Sequence, residues 1–203
     1  MSLIINIRGT NGSGKSTLVS HYIDPTRQEV LLEFENNRGK MGRVVGNTND
    51  SSNSPLYTDW PIEICTVGHY SNLTYSGGMD RISTQRHMKE GVRSAVQQHD
   101  VVFAEGIIAG TTYKPWLEFS QMMQAEGHTF VWAFLDTPIE TCLERVQHRN
   151  GGKPVKSDQI TAKYKTINGI RDKLKFTGEK VEIVDHTAPE KSMGTIIRKY
   201  LPR

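Results

Sequence analysis

Two patterns alternate along the chain. Predominantly apolar runs, rich in β-branched and aromatic side chains, occur at residues 3–7, 30–34, 101–104 and 129–136, as expected of strands, and the run at 101–104 is unbroken. Residues 62–67 alternate and predict another strand, residues 44–45 a short strand or turn, and residues 181–184 a final strand. Between these runs, apolar side chains recur every three or four positions and predict helices. One covers residues 17–23 up to Pro25, one residues 83–99 with Met88, Val92, Ala95 and Val96 on a face, and one residues 115–126. Pro138 opens a helix that buries Ile139, Cys142, Leu143 and Val146. Residues 158–176 carry Ile160, Tyr164, Ile167 and Leu174 at helical spacing, and a last helix begins at Pro189. Residues 47–55 are almost free of apolar side chains and predict an exposed loop. The repeated strand-then-helix order predicts an α/β fold with a mostly parallel sheet, whose ligands bind beyond the carboxyl ends of the strands.

Composition narrows this picture modestly. A chain of 203 residues suffices for a single domain spanning 1–203, and a net charge of +3 is too small to announce a nucleic-acid partner by itself. Cys65 and Cys142 lie far apart without metal-ligand spacing, which reads as two reduced core thiols. The first residues lead straight into a strand, and no apolar run approaches the roughly 18 residues of a membrane span. The expectation is a cytoplasmic protein without a membrane partner.

The chemistry is concentrated at Gly9, Thr10, Asn11, Gly12, Ser13, Gly14, Lys15, Ser16 and Thr17, a match to G-x-x-x-x-G-K-[ST] between a predicted strand and a predicted helix. Such a loop cradles the phosphates of a nucleoside triphosphate such as ATP. Lys15 is expected at the β- and γ-phosphates, and the Ser16 hydroxyl on Mg²⁺. The fold expected is therefore a P-loop NTPase-type three-layer α/β/α sandwich. Glu105 closes the strand at residues 101–104, where a carboxylate can bind Mg²⁺ or accept a proton from an acceptor hydroxyl. Asp80 follows Gly77 and Gly78 in a polar loop that also carries His69 and Tyr70, and is an acceptor-side candidate. Arg145 and Arg149, four apart on a helix, can reach one anion together. Between residues 145 and 180 ten basic side chains face three acidic ones, which suits a lid over the nucleotide at about 145–176, a track for a nucleic-acid backbone, or a merely solvated surface.

The P-loop, the strand end at residues 103–106, and residues 135–138 followed by 142–146 resemble the thymidylate and nucleotide kinase group of P-loop kinases. An Asp-Arg pair soon after the P-loop, typical of thymidylate kinases, has no clear match. The Gly77-Gly78-Met79-Asp80-Arg81-Ile82 segment after an aromatic loop is instead similar to bacteriophage 5-hydroxymethyluracil DNA kinases. That resemblance implies an ATP-dependent phosphotransferase with an alcohol acceptor, the hydroxymethyl group of 5-hydroxymethyl-deoxyuridine within phage DNA. It further implies work in the host cytoplasm, on a route to hypermodified thymidine that resists host restriction. Trp60, Tyr70 and Tyr75 then become candidates to stack on a base. Two alternatives are a kinase of free deoxynucleoside monophosphates and a nucleotide-dependent binding module.

Lys15→Ala is expected to lower phosphoryl transfer on the order of a thousandfold, since one cation at the transferring phosphates is removed. Transfer of label from ATP, with a circular-dichroism melt as control, checks this. Activity within a few-fold of wild type would remove the P-loop from the reaction.

Overall fold

The structure is a computed structural model that describes residues 1–23, 28–35, 39–49, 62–70 and 77–201. Seven strands form one sheet: β1 (Leu3–Arg8), β2 (Gln28–Glu35), β3 (Met41–Thr48), β4 (Ile64–Val67), β5 (Val101–Glu105), β6 (Thr129–Leu135) and β7 (Lys180–Val184). Their spatial order is β2-β3-β4-β5-β1-β6-β7. From β4 to β7 all neighbours are parallel, and β2 and β3 add an antiparallel hairpin at one edge. The helices are α1 (Lys15–Ile23), α2 (Gln85–Ala95), α3 (Ile107–Thr111), α4 (Lys114–Ala125), α5 (Ile139–Arg149), α6 (Ser157–Leu174) and α7 (Pro189–Tyr200), with a 3-10 turn at Met79–Arg81.

Alternation within β1 divides the core. Leu3, Ile5 and Ile7 pack with Leu18, Val19 and Tyr22 of α1 and Met193, Ile196 and Ile197 of α7. Ile4, on the other face, joins Met88 and Val92 of α2, Trp116 and Phe119 of α4, and Ile167, Ile170 and Leu174 of α6. The result is the expected α/β/α sandwich. Several boundaries differ from the sequence reading. The short strand expected at residues 44–45 is the eight-residue β3, because its residues pair with β2 along its full length. Asn47 and Thr48, expected in the exposed loop, belong to β3, and Asn47 is buried with Nδ2 donating to the Gly68 carbonyl. Asn49 is also buried, bridging the Ile62 carbonyl and the Ile64 amide. The rest of the expected loop, residues 50–55, lies outside the described residues. The helix expected over residues 83–99 is shorter, Gln85–Ala95, and starts where Thr84 caps the His87 amide.

Helix α3 has no counterpart in the sequence reading, and two charged side chains from elsewhere hold it. The Asp80 carboxylate accepts the amides of Ile107 at 2.8 Å and Ile108 at 2.9 Å. At the other end Arg8, fully buried and last in β1, donates to the carbonyls of Gly110 at 3.0 Å and Thr112 at 3.1 Å. An anion at the first turn and a cation at the last match the orphan amides and carbonyls of a helix. The Arg8 guanidinium also donates to Asn6 Oδ1 at 2.7 Å and stacks 4.4 Å from the ring of Trp132.

Arg8→Ala would orphan three acceptors and open a void beside Trp132. A loss of about 2–4 kcal/mol is expected. Urea denaturation measures it, and an unchanged midpoint would show that Arg8 does not hold α3.

Candidate active site

Three elements grip the P-loop between β1 and α1: the turn after β6, α5 and α6. Gly12 has φ +80°, and a Cβ there would lie 2.3 Å from the Cys142 carbonyl oxygen, so only glycine lets α5 pack directly on the loop. Thr137, in the turn after β6, donates its hydroxyl to the Ser13 carbonyl at 2.8 Å. Thr10 Oγ1 donates to the Ile160 carbonyl of α6 at 3.1 Å. Arg145 Nη1 reaches the Gly12 carbonyl and Lys163 Nζ reaches Asn11 Oδ1, each at 3.4 Å. Lys15 is buried, with Nζ donating to the Thr10 carbonyl at 3.1 Å.

Facing Lys15 is Glu105, placed by the parallel pairing of β5 with β1, which sets it opposite Ile7 just before the chain turns into the P-loop. Its Oε1 lies 4.0 Å from Lys15 Nζ and accepts the Ser16 hydroxyl at 3.2 Å. Its Oε2 accepts the phenol of buried Tyr70 at 2.8 Å. Burial pushes the Glu105 carboxyl up and the Lys15 ammonium down, and each opposes the shift of the other. Burial and the charge on Glu105 hold the Tyr70 phenol well above its ordinary range, so it remains a donor. Gly78 closes over this carboxylate at φ +83°, where a Cβ would sit 2.1 Å from Glu105 Oε2 and 2.6 Å from the Glu105 carbonyl oxygen.

These groups border a cavity of about 650 Å³, ample for a nucleoside triphosphate. Asn11, Gly12, Ser13, Gly14, Lys15, Ser16 and Thr17 line it together with Asp80, Glu105, Arg145 and Arg149. Gly9 and Thr10 stand behind the cradle, Gly9 against Ser13 and Thr10 against α6. Tyr70 is not a base-stacking ring, being buried behind Glu105 with its hydroxyl on that carboxylate. Trp60 and Tyr75 lie outside the described residues. His69 contributes its backbone, accepting the Gly78 amide at 3.0 Å. The basic stretch separates into groups. Arg145, Arg149 and Lys163 line the cavity, whereas Lys173 lies over the Tyr113 ring at 5.8 Å and Lys175 pairs with Asp172 at 3.4 Å.

Sequence reasoning passed over several contributors. Ile107 and Ile108 of α3 form a lip of the cavity, and His186 and Glu190 another wall. The amide of His186 donates to Asp136 Oδ1 at 2.7 Å, tying the loops after β6 and β7 together. Asp136, Asp185 and His186 bring ligand-type atoms within 4.8 Å of one another, and local hydrogen bonds from His186 and Thr187 engage one oxygen, Oδ1, of each carboxylate. On the phosphate cavity itself, the Ser16 hydroxyl and Glu105 Oε1 are adjacent hard oxygen donors of the kind that could hold Mg²⁺, with Lys15 balancing the carboxylate.

A parallel sheet with a P-loop beyond β1, a buried lysine-carboxylate pair and a cation-lined cavity define a P-loop phosphotransferase. A family model described as 5-hmdU DNA kinase matches residues 49–190. Over 199 residues the chain is 37% identical to the 5-hmdU DNA kinase of Pseudomonas phage M6, covering 95% of this chain and 96% of that one. It is 29% identical to 5-hmdU DNA kinase 1 of Salmonella phage ViI, over 80% of this chain and 66% of that protein, and 28% identical to the 5-hmdU DNA kinase of Pseudomonas phage PaMx11, over 86% of each. The chain belongs to the 5-hmdU DNA kinase family and is a kinase.

Tyr70→Phe leaves Glu105 Oε2 without its donor and frees the carboxylate that faces Lys15, and the turnover rate should fall roughly ten- to a hundredfold. KM for ATP should stay within a few-fold. Steady-state kinetics decide the matter, and a purely structural tyrosine would show a lower melting temperature with turnover intact.

Proposed function

We propose that this chain transfers the γ-phosphoryl group of ATP to the hydroxymethyl oxygen of 5-hydroxymethyl-deoxyuridine in phage DNA. The setting is the host cytoplasm, and the step leads toward hypermodified thymidine that resists restriction. The supporting observation is the match to the phage M6 kinase over 95% of the chain, a stretch that holds the Lys15, Glu105 and Asp80 constellation on one cavity.

In this reading the triphosphate lies along the P-loop with Lys15 at its β- and γ-phosphates and Arg145 and Arg149 flanking it. Ser16 and Glu105 would hold Mg²⁺, which when bound neutralises charge on the phosphates. Lys15 and the two arginines stabilise the charge that spreads over the moving phosphoryl group. Asp80 has lone pairs left after accepting two backbone amides, and it orients the acceptor hydroxyl within the cavity, near enough to Glu105 and Lys15 to act on both electrostatically. The bond between the γ-phosphorus and the β–γ bridging oxygen breaks as the bond to the hydroxymethyl oxygen forms. The hydroxyl proton passes to Asp80, and ADP leaves. The helical pair α5 and α6 with the turn between them serves as the lid.

The test is direct. Protein and labelled ATP are incubated with free deoxynucleoside monophosphates, with unmodified DNA and with 5-hmdU DNA, and label is expected in 5-hmdU DNA alone. Diphosphates formed from free monophosphates, with the DNA unlabelled, would establish the nucleoside monophosphate kinase instead. ATP binding without transfer to any acceptor would leave a binding module.

Exchange of Lys165, Lys173 and Lys175 for Gln should flatten the dependence of DNA affinity on salt by up to roughly 0.9 in log–log slope for each phosphate that is no longer neutralised, with KM for ATP unchanged. Lys163 is kept in this variant because it lines the nucleotide cavity. Binding isotherms at several salt concentrations measure the slope, and an unaltered slope would take the far part of α6 out of the DNA path.

A further inference from the structure

A second cavity, of about 420 Å³, lies between α5 and α6 next to the P-loop. Arg149, Lys156 and Lys163 line it with Asn11, Asn150 and Gln159, and its lining holds no carboxylate among the described residues. Arg149 and Lys163 border both cavities, whereas Lys156 borders the second alone. Neither Arg149 nor Lys156 has a hydrogen bond or ion pair through its side chain among the described residues, and Lys163 donates to the uncharged Asn11. Solvated lysines scattered over a surface call for no ligand. These three cations differ in sharing one concavity without an acid, and the charge on Arg149 reaches far enough to oppose protonation of Lys15. Gathered like charges repel, and an anion between them reverses the sign of that energy.

We propose that this cavity is a second phosphate site, and that its ligand is a backbone phosphodiester of the acceptor strand beside the target nucleotide. The proposal rests on the reading of the acceptor as DNA. The triphosphate already has Lys15, Ser16 and Arg145 in the first cavity, and Lys156 lies beyond that cavity's walls. A polymeric acceptor carries a phosphate on either side of the nucleoside it presents, so one of them arrives with the hydroxymethyl group and requires a counter-charge close by. Arg149 and Lys163 then stand between the two anions and hold them in register. Arginine supplies a planar fork for phosphate oxygens, and the lysines supply point charges.

Lys156→Gln is assayed with Mg²⁺, ATP and 5-hmdU oligonucleotide duplexes across a salt series. KM for DNA should rise roughly tenfold, its log–log salt dependence should become shallower by roughly 0.9, and KM for ATP should stay within twofold. A second series replaces each phosphodiester near the target, one at a time, by an uncharged methylphosphonate. A single linkage should be found whose neutralisation weakens the wild-type enzyme about as much as the substitution does and has no further effect on the Lys156→Gln enzyme. Equal rises in KM for ATP and for DNA would assign the cavity to the nucleotide and overturn the proposal. So would the absence of any linkage coupled to Lys156. Competitive inhibition by inorganic phosphate that depends on Lys156 without such a linkage would make the ligand a free anion and overturn it equally. If the wild-type enzyme labels free nucleotides and not 5-hmdU DNA, the acceptor reading itself has failed, an outcome separate from each of the others.

Discussion

A carboxylate and an ammonium removed from water lose hydration worth several kcal/mol each, and their mutual attraction recovers this only when the remaining lone pairs and protons also find partners. Glu105 and Lys15 are such a pair. Lys15 sits 4.0 Å from Glu105 Oε1, the Ser16 hydroxyl donates to the same oxygen, and the Tyr70 phenol occupies the other. Breaking this set would leave an uncompensated buried charge, so the surrounding structure is under a strict geometric constraint. β5 must be parallel to β1 and in register for Glu105 to arrive opposite the end of β1. The chain must cross Glu105 at a glycine, because Gly78 leaves no room for a Cβ. The buried Tyr70 must lie beneath, where the sheet-side core of α1 and α7 receives its ring.

The two walls of the cavity are built differently. The P-loop is gripped by the turn after β6, by α5 and by α6, through backbone carbonyls and one steric contact that fix the cradle whatever lies in it. The wall formed by Asp80, Ile107 and Ile108 rests on a five-residue helix and a 3-10 turn bound by the Asp80 carboxylate. Asp80 there serves both as a structural tie and as part of the cavity wall.

How much of this is legible in the sequence depends on range. The central strands β1, β5 and β6 are buried on both faces, so their mainly apolar runs speak for themselves, and the P-loop carries its own spacing. β3 is longer than its pattern indicates because Arg43 and two glycines interrupt the apolar run while pairing with β2 supplies the order. Asn47 and Asn49 look like loop residues because periodicity records polarity and is blind to side-chain amides that satisfy buried backbone groups. The sequence puts Tyr70 in the rim loop, but only the fold reveals that it faces inward. Lys163 and Lys173 share a helix and a charge, yet ten residues of α6 separate them by about 15 Å along its axis, which composition cannot register. The family itself is legible in the Gly77 to Ile82 segment, and kinship with the phage kinases over almost the whole chain agrees with it.

Helix α3 would not persist as an isolated peptide, since one turn fixes more dihedral angles than its hydrogen bonds repay. Its existence is dictated from outside, by Asp80 at one end and Arg8 at the other. The identities of Ile107 and Ile108 are therefore decoupled from the helix that carries them: their amides, and not their side chains, make the structural bonds. Substitutions at these two positions would therefore change the side chains on the rim of the cavity without removing either bond to Asp80.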